Sequence, residues 1–280
     1  MPEQACLYIV PTPIGNLSDI SHRALGVLTD VDLIAAEDTR HSARLLHHYN
    51  ITTRTISLHT HNESARSALL IEKLLSGTSV ALISDAGTPL ISDPGFTFVA
   101  ACRREDIKVI ALPGPCALTT ALSASGLPTD VFTFFGFLPV KQQAKQNVLE
   151  HAAYTHHTAV FYEAPRRIKA TVDMCMRVLP ASCHFVLAKE ISKTFETYIS
   201  GSAQTLLDYL NLESAHEKGE FVLMLHLAKE KDEDLPIEAI ALLDELGSLL
   251  PPKRAAAVVS KHYKVNKKQL YEFALKAKES

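Results

Sequence analysis

The 280-residue sequence predicts an α/β protein, with a first domain around a parallel sheet, a second around a mixed sheet, and a small helical C-terminal extension. Three observations predict it. Short, wholly apolar runs alternate with helical stretches over residues 1–125, the pattern of strands covered on both faces. Over residues 126–228 the β-rich runs come closer together, with fewer helices between them. After a highly charged segment, residues 235–280 show helical periodicity and a basic charge.

In order, CLYIV is a strand that leaves into PTPIGN, and VDLIAAE is followed by an amphipathic stretch, Thr39–Tyr49. ITTRTISLH is β-rich, and Glu63–Leu75 carries apolar residues at helical spacing. TSVALISDAG is a strand run into a turn, Phe96–Glu105 a helix, IKVIALPGP another strand into a turn, and Cys116–Ser125 a helix. The turn-rich GLPTD at 126–130 is the expected domain boundary. Beyond it VFTFFGFL, TAVFYE, HFVLAKEI, FETYISG and GEFVLMLHL are strand candidates, with helices at Arg166–Val178 and Ser202–Leu212. FETYISG and GEFVLMLHL lie late and close together, so antiparallel pairing between them is expected. Lys229–Asp234 is a charged linker. Leu235–Leu250 is a helix broken by Pro251-Pro252, and Leu270, Phe273, Ala274 and Ala277 form an i, i+3, i+4, i+7 stripe near the end.

Composition narrows the class. With 47% hydrophobic and 21% charged residues the chain is ordinary globular material. No run approaches the roughly 18–20 apolar residues of a membrane span. The start lacks a basic region followed by an apolar run, so no signal peptide is expected. Five scattered cysteines without a CxxC fit a reduced cytoplasmic compartment, and neither a disulfide framework nor a zinc site. The net charge of −3 argues against a general nucleic-acid binder. From Pro251 to Ser280, however, eight Lys/Arg face only Glu272 and Glu279, so this segment is +6 and the remainder −9. That asymmetry points to an anionic partner, or to a solvated amphipathic helix pair.

Chemistry is expected at strand ends. Pro11–Asn16, Asp85–Pro89 and Pro113–Cys116 each leave an apolar strand on a Pro/Gly turn, at the carboxyl ends where open parallel sheets bind ligands. Glycine lets backbone approach a ligand, and a following helix start offers free N–H groups. The alternative is three well-made tight turns. GxxxxGK[ST], GxGxxG, HExxH and GxSxG are all missing, which disfavours P-loop, dinucleotide, zinc-protease and serine-hydrolase sites. His47-His48 and His156-His157 are adjacent pairs that face apart on a helix, and His59 and His61 read as surface polar residues, so no metal site is expected. Charged groups collect at three other strand ends: Glu37, Asp38 and Arg40; Glu163, Arg166 and Arg167; and Lys189, Glu190 and Lys193. Helix capping and surface ion pairs are the plain alternatives.

The segments PTPIGNL, AAEDTR, SDAGTPLISDPG, LPGPCA and FYEAPRR resemble the tetrapyrrole methylase superfamily over essentially the whole chain. Within it they are similar to the bacterial small-subunit ribosomal RNA methyltransferases that modify a cytidine 2′-hydroxyl. The resemblance implies the two-domain tetrapyrrole methylase fold with S-adenosylmethionine (SAM) in the cleft between domains. It places cofactor contacts at Pro13, Ile14, Gly15, Asp85, Ala86, Gly87, Thr88, Ile91, Cys116, Ala117 and Glu163. Thr88 stands where the tetrapyrrole enzymes carry Asp, leaving open whether Asp85 or Thr88 makes the polar contact. Glu163 stands where they are apolar. Both departures suit an RNA ribose better than a tetrapyrrole carbon. The implied reaction is 2′-O-methylation of a decoding-centre cytidine in 16S ribosomal RNA, within an assembled small subunit, by a cytoplasmic homodimer. Glu37 and Asp38, then Glu163 and Glu190, are the candidate proton acceptors. Arg40, Arg166 and Lys193 would hold phosphates or orient the base, and Asn16 and Lys189 would also touch substrate. Lys253, Arg254, Lys267 and Lys268 would anchor RNA through its phosphates. A carbon methyltransferase acting on a tetrapyrrole, and a non-catalytic ribosome-binding module, are the alternatives.

Overall fold

The computed structural model describes residues 5–229 and 235–279, with side chains to Leu275. The first sheet holds β1 (Cys6–Ile9), β2 (Leu33–Ala36), β3 (Thr55–Ser57), β4 (Val80–Ile83) and β5 (Lys108–Ala111). Their order is β3-β2-β4-β1-β5 and every pair is parallel. β2 and β4 are buried at every residue, which explains why LIAA and VALI are unbroken apolar runs. Alternate side chains serve opposite faces. Leu33, Ala35, Val80 and Leu82 pack with Leu70, Leu74, Phe98 and Cys102 of α3 (Glu63–Leu75) and α4 (Phe96–Arg104). Ile34, Ala36, Ala81 and Ile83 pack with Ala24, Leu28 and Leu46 of α1 (His22–Asp30) and α2 (Thr39–His48). The parallel, doubly covered sheet of the sequence reading is therefore present.

The second sheet holds β6 (Phe132–Phe137), β7 (Thr158–Glu163), β8 (His184–Lys189), β9 (Thr197–Gly201) and β10 (Phe221–His226), in the order β6-β7-β10-β8-β9. It is mixed, as expected: β6 runs parallel to β7 and the other pairs are antiparallel. The expected partnership of FETYISG with GEFVLMLHL is corrected, because β8 lies between them and pairs with both. β8 and β10 are buried almost throughout, so a central position suits both, while the half-exposed β9 takes the edge.

One face of this sheet carries α6 (Gln142–Tyr154), α7 (Pro165–Val178) and α8 (Ala203–Leu212) over a core that includes Phe161, Ile168 and Leu206. Onto the other face packs α5 (Ala117–Ser123) from the first half: Leu118, Ala121 and Leu122 meet Val160, Val186, Val222 and Met224. That contact joins the two α/β halves, and Met1–Ala228 is one compact unit. Helices α1 and α6 are structure that the apolar pattern of the sequence did not mark.

Lys229–Ser280 is a second compact unit. Of the expected linker, residues 230–234 lie outside the described residues. The unit contains α9 (Ile237–Leu249), α10 (Pro252–Tyr263) and α11 (Lys267–Glu279) around Ala239, Leu243, Ala255, Ala256, Val259 and Leu270. Pro252 opens α10, where its missing N–H costs nothing. Lys264, at φ 58°, turns the chain from α10 to α11, and the Ser260 hydroxyl donates to the Val265 carbonyl at 2.7 Å across the turn. Of the predicted stripe, Leu270 is buried and Ala274 packs on the core, Phe273 is 37% exposed, and the Ala277 side chain lies outside the described residues. Lys253, Arg254, Lys261, Lys264, Lys267 and Lys268 all face solvent.

Candidate functional site

β4, β1 and β5 are neighbours, so the three Pro/Gly turns that follow them stand side by side at one sheet edge. Thr12 and Gly87 close an antiparallel bridge, with reciprocal N–H···O bonds of 2.9 and 3.0 Å. The Thr88 hydroxyl donates to the Pro115 carbonyl at 2.8 Å, which ties the second turn to the third. Gly87 holds φ +83°, and a Cβ there would lie 3.2 Å from Ile14 Cγ2. Glycine alone adopts that backbone without strain.

The turns form one wall of a cleft of about 350 Å³. Ile14, Ala86, Gly87, Thr88, Ile91, Cys116 and Ala117 line this wall, and Tyr162, Glu163, Ile191, Phe221 and Val222 of the second half line the other. The Leu118 amide donates to the Tyr162 hydroxyl at 3.0 Å, which joins the walls, and burial pushes the Tyr162 phenol well above its usual range.

Three expected cofactor residues fall elsewhere. Pro13 and Asp85 line a smaller, separate cavity with Thr12, Leu17 and Ser84. Gly15 faces the β8–β9 loop, where a Cβ would sit 2.5 Å from Lys193 Cγ. Asn16 borders a surface pocket with Lys193 and caps the short turn Leu17–Asp19 by accepting from the Ser18 amide.

Glu163 is corrected as a proton acceptor. Its side chain is fully buried and held in a cage of donors. Arg167 Nε stands 2.9 Å away, Lys145 Nζ 3.6 Å, the Thr171 hydroxyl 2.7 Å and the Ala164 amide 2.9 Å. Only its backbone is left to meet a ligand. Burial lowers the pKa of Lys145, and Glu163 opposes that shift. Arg167 also donates to the Leu138 and Pro139 carbonyls and so fixes the loop after β6.

Lys189 is corrected as a substrate contact: it is buried and donates to the Ala215 carbonyl at 3.1 Å. Glu190 and Lys193 pair with each other at 2.8 Å, and Lys193 also reaches Glu220 at 3.0 Å. Burial opposes ionisation of Glu190, but Lys193 and the Glu220 amide outweigh it and hold the carboxyl below its usual range. Arg166 is exposed beside the cleft wall at the start of α7.

At the ends of β2 and β4 the acidic residues converge. Asp38 caps α2 and chelates Arg40, whose hydrogen bonds hold its carboxyl down at about 2. Asp38 is therefore a poor base, a correction to its nomination. Its amide donates to Asp85 Oδ1 at 3.1 Å, and the Asp85 amide donates to Glu37 at 3.3 Å. Burial raises the Glu37 pKa, and the Asp85 charge adds to the rise. The residue that sequence reasoning missed is Asp93, which lines the cleft. Burial, then the neighbouring Glu37 charge, pushes its carboxyl up to about 6. Its signal lay in the quoted SDPG, where an Asp before Pro-Gly passes for turn chemistry. Neighbouring Leu90 and Ser92 both hold φ +71°, so the loop that presents Asp93 is strained. A half-buried carboxyl that titrates close to neutrality beside a second carboxylate is suited to taking a proton.

A family model described as Tetrapyrrole (Corrin/Porphyrin) Methylases matches residues 6–207. The chain belongs to the tetrapyrrole methylase family. A second model, the RsmI C-terminal HTH domain, matches residues 233–278. Among similar proteins, the Ribosomal RNA small subunit methyltransferase I of Vibrio cholerae is 50% identical, over 96% of this chain and 94% of that one. The protein of the same name from Escherichia coli O157:H7 is 47% identical, over 97% and 95%. Of solved structures, diphthine synthase aligns with a TM-score of 0.62 at 17% identity, over 80% of this chain and 90% of that one. The uroporphyrin-III-C-methyltransferase of Thermus thermophilus aligns at 0.53 and 19%, over 79% and 94%. These two likenesses speak for the tetrapyrrole methylase fold.

The protein is accordingly a methyltransferase whose methyl donor is SAM. The cleft fits such a group. Gly87 leaves a backbone cradle that a Cβ would crowd, Ile14, Ala86, Ala117 and Ile191 offer apolar walls, and Asp93 brings negative charge toward a cationic ligand.

Proposed function

We propose that this tetrapyrrole methylase transfers the methyl group of SAM to the ribose 2′-hydroxyl of a cytidine in 16S ribosomal RNA. The observation that carries the reading is one chain that joins the Asp93 carboxyl at a methyl-donor cleft to a separate three-helix unit whose last stretch, Pro251–Ser280, carries +6. The match to relatives named as small-subunit ribosomal RNA methyltransferases extends through that unit and supports it.

In this reading residues 1–125 and 126–228 supply the two cleft walls, and 235–280 grips RNA. Ile14, Ala86, Gly87, Thr88, Ile91, Cys116 and Ala117 hold the cofactor, with the Glu163 backbone opposite. SAM, when bound, supplies an activated methyl group, so holding the acceptor in line is the main task of the protein. A ribose hydroxyl is a weak nucleophile until its proton is accepted, a step worth typically about 10²–10⁴-fold. Asp93 accepts that proton, and Glu37 keeps it basic at neutral pH by opposing its ionisation. Arg166 and the exposed Lys253, Arg254, Lys267 and Lys268 meet phosphates. A tail of +6 is little for gripping bare RNA, which favours an assembled small subunit as substrate. The protein works in the cytoplasm as a homodimer.

The test incubates the protein with methyl-labelled SAM and unmodified small subunits, and locates the label after nuclease digestion. Label on a cytidine 2′-oxygen is expected; label on added tetrapyrroles, or none, refutes the reading. Single-turnover rates should rise with pH through about 6, as Asp93 loses its proton. Asp93→Asn should cut the rate about 10²-fold or more and remove that limb.

A further inference from the structure

Residues 1–250 sum to −9, yet the 10 residues of α2 hold five basic side chains and no acidic one. Arg40, His41, Arg44, His47 and His48 are all exposed. At about 3.6 residues per turn they fall within about 120° of the helix circumference, opposite the buried Ser42 and Leu46. From Arg40 to His48 the stripe is about 12 Å long. Helix stability does not account for it. The positive end of a helix dipole favours acids in the first turn, and α2 has none there, carrying Arg40 and His41 instead. Ion pairing does not use the stripe up either. Of the five, only Arg40 is ion-paired among the described residues, to Asp38 through Nε and Nη2, and its side chain remains 90% exposed. The side chains of Arg44, His47 and His48 form no hydrogen bond or ion pair among the described residues. One end of the stripe meets the chemistry. His41 stands close enough to Glu37 to oppose the rise of its pKa, and Glu37 is the carboxylate beside Asp93.

We infer that α2 is a phosphate track, which holds the backbone of the ribosomal RNA strand that leads away from the methylated nucleotide. The inference rests on the function proposed above and adds a contact surface on the methyltransferase half of the chain. Guanidinium groups match phosphate oxygens in pairs. Arg44 has its whole fork free for such a contact, and Arg40 keeps Nη1 after Asp38 has taken Nε and Nη2. His41, His47 and His48 add ring N–H donors along the same face. Contacts of this kind read no sequence; they fix the register and direction of the strand. A strand held from Arg40 to His48 approaches the carboxyls of the cleft at the Arg40 end, where a splayed nucleotide can present its ribose.

The test measures binding of the full-length protein to unmodified small subunits, and to protein-free 16S ribosomal RNA, across a salt series. Arg44→Ala should lower the slope of log affinity against log salt by about 0.7–0.9, the share of one phosphate contact. His47→Lys combined with His48→Lys exchanges partly charged rings for full cations, so the slope should steepen by up to about 1.4–1.8 and affinity should rise. A damaged fold produces no such gain, and SAM affinity by calorimetry should keep its wild-type value in both variants. Slopes that stay at the wild-type value in either variant overturn the track and leave the ribose methylation standing. Slopes that change with subunits but not with protein-free RNA overturn it as well, and give the stripe to an acidic protein segment. Absence of label on any RNA ribose with the wild-type protein defeats the function proposed above and this inference with it.

Discussion

Replacing Glu163 by Gln tests what a buried carboxylate does beside a cleft. The change keeps the size of the side chain and removes its charge. Lys145 and Arg167, with side chains 5% and 21% exposed, then lose the only acidic group paired with them among the described residues. Breaking a buried ion pair from one side costs about 3–5 kcal/mol. At about 2–4 °C per kcal/mol for a domain of this size, the melting point should drop by about 6–20 °C. The penalty should depend on pH. Burial already depresses the Lys145 pKa, and the loss of Glu163 depresses it further. A cation whose folded pKa lies below its unfolded value destabilises once protonated, so Glu163→Gln should be weakest at low pH and recover as pH rises and Lys145 becomes neutral. Adding Lys145→Met should restore most of the loss, because the uncompensated ammonium is gone. Urea unfolding at several pH values, read at constant m, measures all three effects. A loss under about 1 kcal/mol, together with abolished methyl transfer, would refute the argument and return Glu163 to the chemistry.

Two further outcomes are expected. Gly87→Ala places a Cβ at φ +83° and 3.2 Å from Ile14 Cγ2, so SAM affinity measured by calorimetry should fall about tenfold or more, with about 1–2 kcal/mol lost from the fold. Exchanging Lys253, Arg254, Lys267 and Lys268 together for Ala should leave SAM binding intact. It should also reduce the salt slope of RNA binding by about 3, at roughly 0.7–0.9 per phosphate contact.

The legible parts of the chain were those where one physical rule dominates. VALI and LIAA could only be strands buried on both faces, and Gly87 and Thr88 announced a turn. Glu63–Leu75 carried a clean helical period and has those bounds. Charge was harder to read, because sequence gives its sign and not its surroundings. Lys189 and Glu163 looked like surface groups at strand ends. The fold drew both inside, since β7 and β8 are central strands whose ends are covered by α7 and the segment around Ala215. Asp93 was invisible for the opposite reason: nothing local distinguishes a turn Asp. Its environment is built by a residue far away in the chain, Glu37.

The bridge between Thr12 and Gly87 has a thermodynamic consequence. Two peptide segments, joined by a pair of backbone hydrogen bonds, form a partition that neither cavity owns. A SAM molecule that fixes Gly87 fixes Thr12 as well through these bonds, so the ordering cost of both turns is met together when the donor binds.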